Sequence, residues 1–159
     1  MSSFERHSSS SISVNLDKDE TVLLRGLVEQ TRSLLEERPA DDPVMKRLFP
    51  AAYESPDDEN AYRELIGGDL EKHKREAVDR VASQLGSKEE FDETLELADC
   101  ETWLIVLTDL RLALGTRLGV TEETMGAEID RDDPASFSLA ILHWVGWLQE
   151  SLLKALQSQ

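Results

Sequence analysis

From Asp99 to Gly119 the chain reads DCETWLIVLTDLRLALGTRLG, a stretch whose helical projection is apolar around most of its circumference. At 100° per residue, Trp103, Leu107, Leu110, Leu114 and Leu118 fall on one arc, and Ile105 and Leu112 lie opposite. A helix apolar on two sides must be covered from two sides, so this segment is expected at the centre of the fold. Its ends are marked. Asp99 can serve as N-cap with Glu101 in the first turn, and Arg117 in the last turn is followed by Gly119. The expected architecture is a mainly α, single-domain helical bundle around this buried helix.

Arg111 projects between Leu118 and Leu104, inside the main apolar arc, whereas Asp109 projects into the polar gap. A guanidinium withdrawn from water needs an acidic partner. Arg111 is therefore expected in a buried ion pair with a carboxylate of another segment, or holding a small anionic ligand.

The rest of the chain offers covering elements. Residues 1–10, MSSFERHSSS, are polar and serine-rich and read as a flexible tail ahead of a domain over 11–159. Ile12, Val14 and Leu16 alternate as a strand. Asp17 and Glu20 form a capping-box pair ahead of a helix that buries Leu24, Leu27, Val28, Thr31, Leu34 and Leu35. Asp42-Pro43 opens a short helix ending near Phe49, and LFPAAY at 48–53 reads as a hydrophobic plug or, more sharply, a peptide pocket. A further helix start at 55–59 carries Tyr62 and Leu65. Asp69 then caps a helix to Leu85 that is expected to bury Leu70, Ala77, Val78, Val81 and Leu85, with Gly86 as its stop.

Phe91, Leu95 and Leu97 keep period two, which suits a short strand pairing with 12–16 as a two-stranded β ribbon; a helix continuing into Asp99 competes. The last helix begins at Asp133-Pro134. Its apolar arc, from Phe137 through Ile141, Trp144, Trp147 and Leu148 to Leu156, is too wide for one neighbour. A homodimer with Trp144, Trp147 and Leu148 at the seam is one expected way to cover it.

Composition narrows function. A formal net charge of −16 over 159 residues repels phosphate backbones and anionic lipid, so direct nucleic-acid binding and membrane attachment are not expected. Cys100 is the one cysteine, which excludes an intrachain disulfide and suits a reducing, cytoplasmic setting. In the first turn of its helix a thiol gains from the dipole but sits between Asp99 and Glu101, which oppose its ionisation. It is the candidate redox residue.

Phosphate loop, HExxH, CxxC and GxSxG signatures are missing, and three scattered histidines do not assemble a nucleophile with a base, so no enzyme, metal or cofactor is expected. Asp69, His73 and Glu76 share a helix face, but the cations Lys72, Lys74, Arg75 and Arg80 around them argue for a solvated charged surface rather than a metal site. Lys72, His73, Lys74 and Arg75 form the compact basic patch of this acidic chain. With Phe49 and Tyr53 of the LFPAAY corner they make the candidate partner surface.

Together, LFPAAY at 48–53, DLEKHKREAVDRVASQL at 69–85, LTDLRLALGTRLG at 107–119 and WVGWLQESLLKAL at 144–156 resemble the actinobacterial family DUF2017 over nearly the whole chain. The resemblance implies a cytoplasmic protein often encoded beside the adaptor of the Clp protease, some of whose relatives carry a transcription-regulator label linked to oxidative stress. Gly67-Gly68 stands where relatives tend to carry other polar residues. Two functional expectations follow. One is a non-enzymatic regulatory adaptor acting through contacts with a protein partner such as the Clp system. The other is an oxidative-stress-linked transcriptional regulator acting with a sigma factor or RNA polymerase and sensing oxidation through Cys100.

Overall fold

Three short strands and five helices make up the described part of the chain. The computed structural model describes residues 3–37, 42–49, 68–118 and 134–158. In order these are β1 (Ser3–Ser8), β2 (Ser11–Leu16), α1 (Lys18–Glu37), α2 (Pro43–Leu48), α3 (Gly68–Leu85), β3 (Phe91–Glu96), α4 (Leu97–Leu118) and α5 (Pro134–Gln157). The protein is mainly helical with one antiparallel sheet of order β1-β2-β3.

The sheet corrects two expectations. Ser3–Ser8 is a strand, not part of a tail, and with it the ribbon becomes three-stranded. Composition concealed this because only Phe4 and Arg6 of β1 point inward, and one apolar residue makes no pattern. Phe4 pairs with Val14 and packs edge-on to Trp103 with ring centroids 6.4 Å apart. Arg6 reaches the far end of the chain, where its Nη2 donates to the carbonyls of Leu156 and Ser158, both at 2.9 Å. A cation on the last carbonyls of α5 satisfies groups the helix cannot, and it complements the helix dipole.

β2 and β3 pair as expected, antiparallel, with Ile12 opposite Leu95 and Leu16 opposite Phe91. The inward face carries Phe4, Ile12, Val14, Leu16, Phe91 and Leu95, all buried, while Asn15, Asp92, Thr94 and Glu96 face water. This alternation is what a sheet packed on one face requires. Strand and helix are then tied by Thr21, which is fully buried: its hydroxyl donates to the Asp17 carbonyl at 2.7 Å and accepts the Phe91 N–H at 3.2 Å.

Asp17 and Glu20 form the reciprocal capping box, Glu20 N–H to Asp17 Oδ1 at 2.9 Å and Asp17 N–H to Glu20 Oε1 at 3.1 Å, and the hydrogen bond from the Glu20 amide holds the Asp17 carboxyl below its ordinary pKa. α1 buries Leu24, Leu27, Val28, Thr31, Leu34 and Leu35, as its spacing predicts. α2 has Asp42 as N-cap, its Oδ1 accepting the Val44 N–H at 2.8 Å. α3 buries Ala77, Val78, Val81 and Leu85 and stops at Gly86, whose φ of 51° is the left-handed conformation that glycine adopts without steric cost. Leu70, expected on that buried face, is instead 47% exposed.

α4 starts at Leu97, two residues before the expected cap, so Asp99 lies in its first turn and pairs with Arg80 of α3 at 3.1 Å. It is covered over one broad side. Cys100, Trp103, Val106, Leu107, Asp109, Leu110 and Ala113 are buried, whereas Ile105 and Leu112 are half-buried and Glu101 and Arg111 are exposed. Trp103 is the centre of this side, stacked at 31° on Phe91 with centroids 5.2 Å apart, its indole N–H donating to Gln84 Oε1 at 2.8 Å. α5 lies against α4 and buries Leu142, Val145, Leu148, Leu152 and Ala155. No helix among the described residues is long and apolar enough to cross a membrane.

Candidate functional site

The residues singled out by sequence do not converge on one site, and the most constrained polar group lies elsewhere. Lys74 enters the interior from α3, because it sits three, four and seven residues before Ala77, Val78 and Val81 on the buried face. Asp109 enters from α4 three residues after Val106 and four before Ala113. Lys74 Nζ donates to Asp109 Oδ1 at 2.7 Å, with side chains only 14% and 4% exposed, and it lies 5.7 Å from the centroid of the Phe49 ring. Burial pushes the Asp109 carboxyl above its ordinary pKa, against the hydrogen bond and charge of Lys74, which draw it down. Oδ2 of Asp109 is buried with no hydrogen-bond partner among the described residues.

This pair takes the place expected for Arg111. The Arg111 side chain is exposed, and its guanidinium lies across Gly146 of α5 and donates to Gln149 Oε1 at 3.3 Å. Gln149 in turn donates to the Thr108 hydroxyl at 2.8 Å. The expected buried ion pair therefore exists on α4, but two residues earlier and with the opposite sign.

The basic patch is divided by the same geometry. Lys72 and His73 are exposed, Lys72 at the limit of pairing with Glu76 at 4.0 Å; Arg75 is half-buried on Glu71 at 3.3 Å; Lys74 is committed to Asp109. Phe49 packs against the core from the end of α2, and Tyr53 lies outside the described residues, as do the Tyr62 segment and the turn at Gly67. No cluster of three metal-ligating side chains occurs among the described residues.

Cys100 is fully buried beneath the sheet. Burial, then the Asp99 and Glu101 carboxylates, push its thiol up, and the Arg6 charge draws it down less strongly. A thiol so placed is neutral at pH 7 and shielded from solution, whereas a fast redox sensor presents an accessible thiolate. On α5, Leu148 is a core residue with no exposed surface, which removes it from any dimer seam. Trp144 is half-buried with its indole N–H 3.3 Å from Glu20 Oε2, and Trp147 stays 46% exposed.

With the geometry in place, three comparisons bear on identity. The family model described as "Domain of unknown function (DUF2017)" matches residues 1–156. A Mycobacterium leprae (strain TN) protein named "Putative oxidative stress regulator AosR" is 33% identical over 132 residues, covering 74% of this chain and 60% of its own length. The chain thus spans about three fifths of the length of that curated relative. No solved structure matches.

Proposed function

We propose that this chain, which belongs to the DUF2017 family, is a non-enzymatic regulator in the response to oxidative stress that works through contacts with a protein partner. The observation that carries this reading is the similarity to the protein named as an oxidative stress regulator. The chemistry of the chain supports the protein-contact part: its polar interior is an ion pair that links two helices, and its net charge of −16 repels nucleic acid. Transcription machinery, such as a sigma factor or polymerase subunit, fits a regulator of this class better than the Clp system, for which only the family resemblance speaks.

The geometry does not favour direct sensing through Cys100. The thiol is buried and its pKa raised. In this proposal the oxidant signal reaches the partner first, or reaches Cys100 only after the sheet lifts from α4. A second copy of the chain at Trp147 remains compatible with the reading, since that indole is half exposed.

Co-purification of the tagged protein from its host, with and without peroxide, tests the proposal. A polymerase-associated partner whose recovery changes with peroxide supports it. Recovery of the protein alone under both conditions overturns it. Cys100→Ser separates the two halves: a peroxide response that survives the substitution places the sensor outside this chain.

A further inference from the structure

The sheet has two edges, β1 and β3. β1 lies against α5 and is tied to its end through the Arg6 side chain. β3 pairs with β2 on one side, and on the other no described residue hydrogen-bonds its backbone. The ladder fixes which groups point outward. The Leu97 N–H donates to the Ser10 carbonyl at 3.3 Å, continuing the β2–β3 register, and the Phe91 N–H turns inward to Thr21. Antiparallel pairing alternates, so Glu93 and Leu95 give their backbone groups to β2, and Asp92, Thr94 and Glu96 present theirs to the outer edge.

A cleft of about 340 Å³ runs beside these groups, with Arg80 and Gln84 of α3 as its opposite wall. Its cations are already matched, Arg80 by Asp99 at 3.1 Å and Lys88 by Glu93 at 2.6 Å. The exposed charge left along the edge, from Glu89, Glu90, Asp92 and Glu96, is all negative.

We propose that the β3 edge and this cleft bind an extended basic segment of a partner protein, which adds as a fourth strand on the backbone groups of Asp92, Thr94 and Glu96. The inference rests on the reading of the chain as a protein-binding regulator and names the surface and the chemistry of what it binds. Main-chain pairing would supply affinity and the carboxylates the preference for lysine and arginine. A second copy of the chain does not fit, because antiparallel β3 against β3 centred on Thr94 sets Asp92 of each copy opposite Glu96 of the other, like charge against like.

The test uses the full chain and a blocked peptide of alternating lysine and threonine, with an alternating glutamate and threonine peptide as control, followed by backbone amide shifts and hydrogen exchange. The lysine peptide is expected to shift and protect the amides of Asp92, Thr94 and Glu96, and the control to leave them unchanged. Asp92→Lys with Glu96→Lys should weaken the lysine peptide about ten-fold, since two surface charges are reversed. Thr94→Pro, which removes an outward N–H and no ladder bond, should abolish edge protection.

Shifts that map elsewhere, or unchanged binding by both variants, overturn the proposal and leave the edge merely guarded by charge. If Thr94→Pro does not fold, the charge-reversed variant decides. Host partners that stay bound to the charge-reversed protein would refute the docking site while the regulator reading stands. Peptide binding at the edge in a protein that captures no host partner would sustain the site and remove the regulator reading.

Discussion

Lys74→Met is the most informative single change, because it isolates Asp109, a buried carboxylate with one oxygen unpartnered among the described residues. The substitution keeps the apolar stem of the side chain and deletes the ammonium 2.7 Å from Asp109 and beside the Phe49 ring. Asp109 would be left 4% exposed with both oxygens unpartnered. Breaking a buried pair by removing one member costs about 3–5 kcal/mol, the stranded charge being the main part of the loss.

The pH dependence has a definite sign. Asp109 already titrates above its ordinary value because of burial, and without Lys74 both influences that draw it down are gone. The folded state then binds the proton more tightly than the unfolded state, so the penalty in Lys74→Met is greatest at neutral pH. It shrinks as pH falls through the raised folded pKa toward the unfolded value of 3.8. Urea unfolding followed by helical circular dichroism at pH 7 and pH 5 reads both effects. The double change Lys74→Met with Asp109→Leu should recover most of the loss, since replacing both members of a buried pair with apolar groups is neutral or stabilising by about 1–4 kcal/mol. A loss below about 0.5 kcal/mol for Lys74→Met, the range of ordinary surface substitutions, would refute the buried-pair assignment.

Arg111→Ala should change stability by no more than about 0.5 kcal/mol in the same assay, because the side chain is exposed and makes one long hydrogen bond to Gln149; a larger loss would mean the guanidinium is structurally engaged. The Cys100 thiol should resist a water-soluble maleimide in the native protein and react fully in urea, and complete labelling within seconds at pH 7 would show that it is accessible after all. Because its folded pKa is raised, Cys100 should also withdraw stability as pH climbs past the unfolded value of 9.0, an effect Cys100→Ser would remove from a stability–pH curve. Arg6→Met should cost about 1–2 kcal/mol and speed amide exchange in the last turn of α5, where it deletes three hydrogen bonds to the Leu156 and Ser158 carbonyls; unaltered exchange there would remove its capping role.

Most helices were legible because their signals are local. The capping box of Asp17 and Glu20, the Asp42-Pro43 start and the Gly86 stop each act within four residues, and the same contacts form in the structure. The β2–β3 pairing and the inward face of β2 were readable too, from the alternation of Ile12, Val14 and Leu16. β1 was not legible. What makes Ser3–Ser8 a strand is its position beside β2 and the end of α5, and no local alternation announces that.

By itself the sequence determined that the chain is mainly helical, the buried face of α1, and most of that of α3. Which side of α4 is buried only the tertiary structure decided. A helix apolar on opposite sides has no preferred rotation of its own, so the neighbours choose it. α3 brings Lys74 inward and α5 brings Gly146 close, and between them they draw Asp109 into the interior and leave Arg111 on the surface. The same is true of the β3 edge, whose outward backbone groups no described residue hydrogen-bonds.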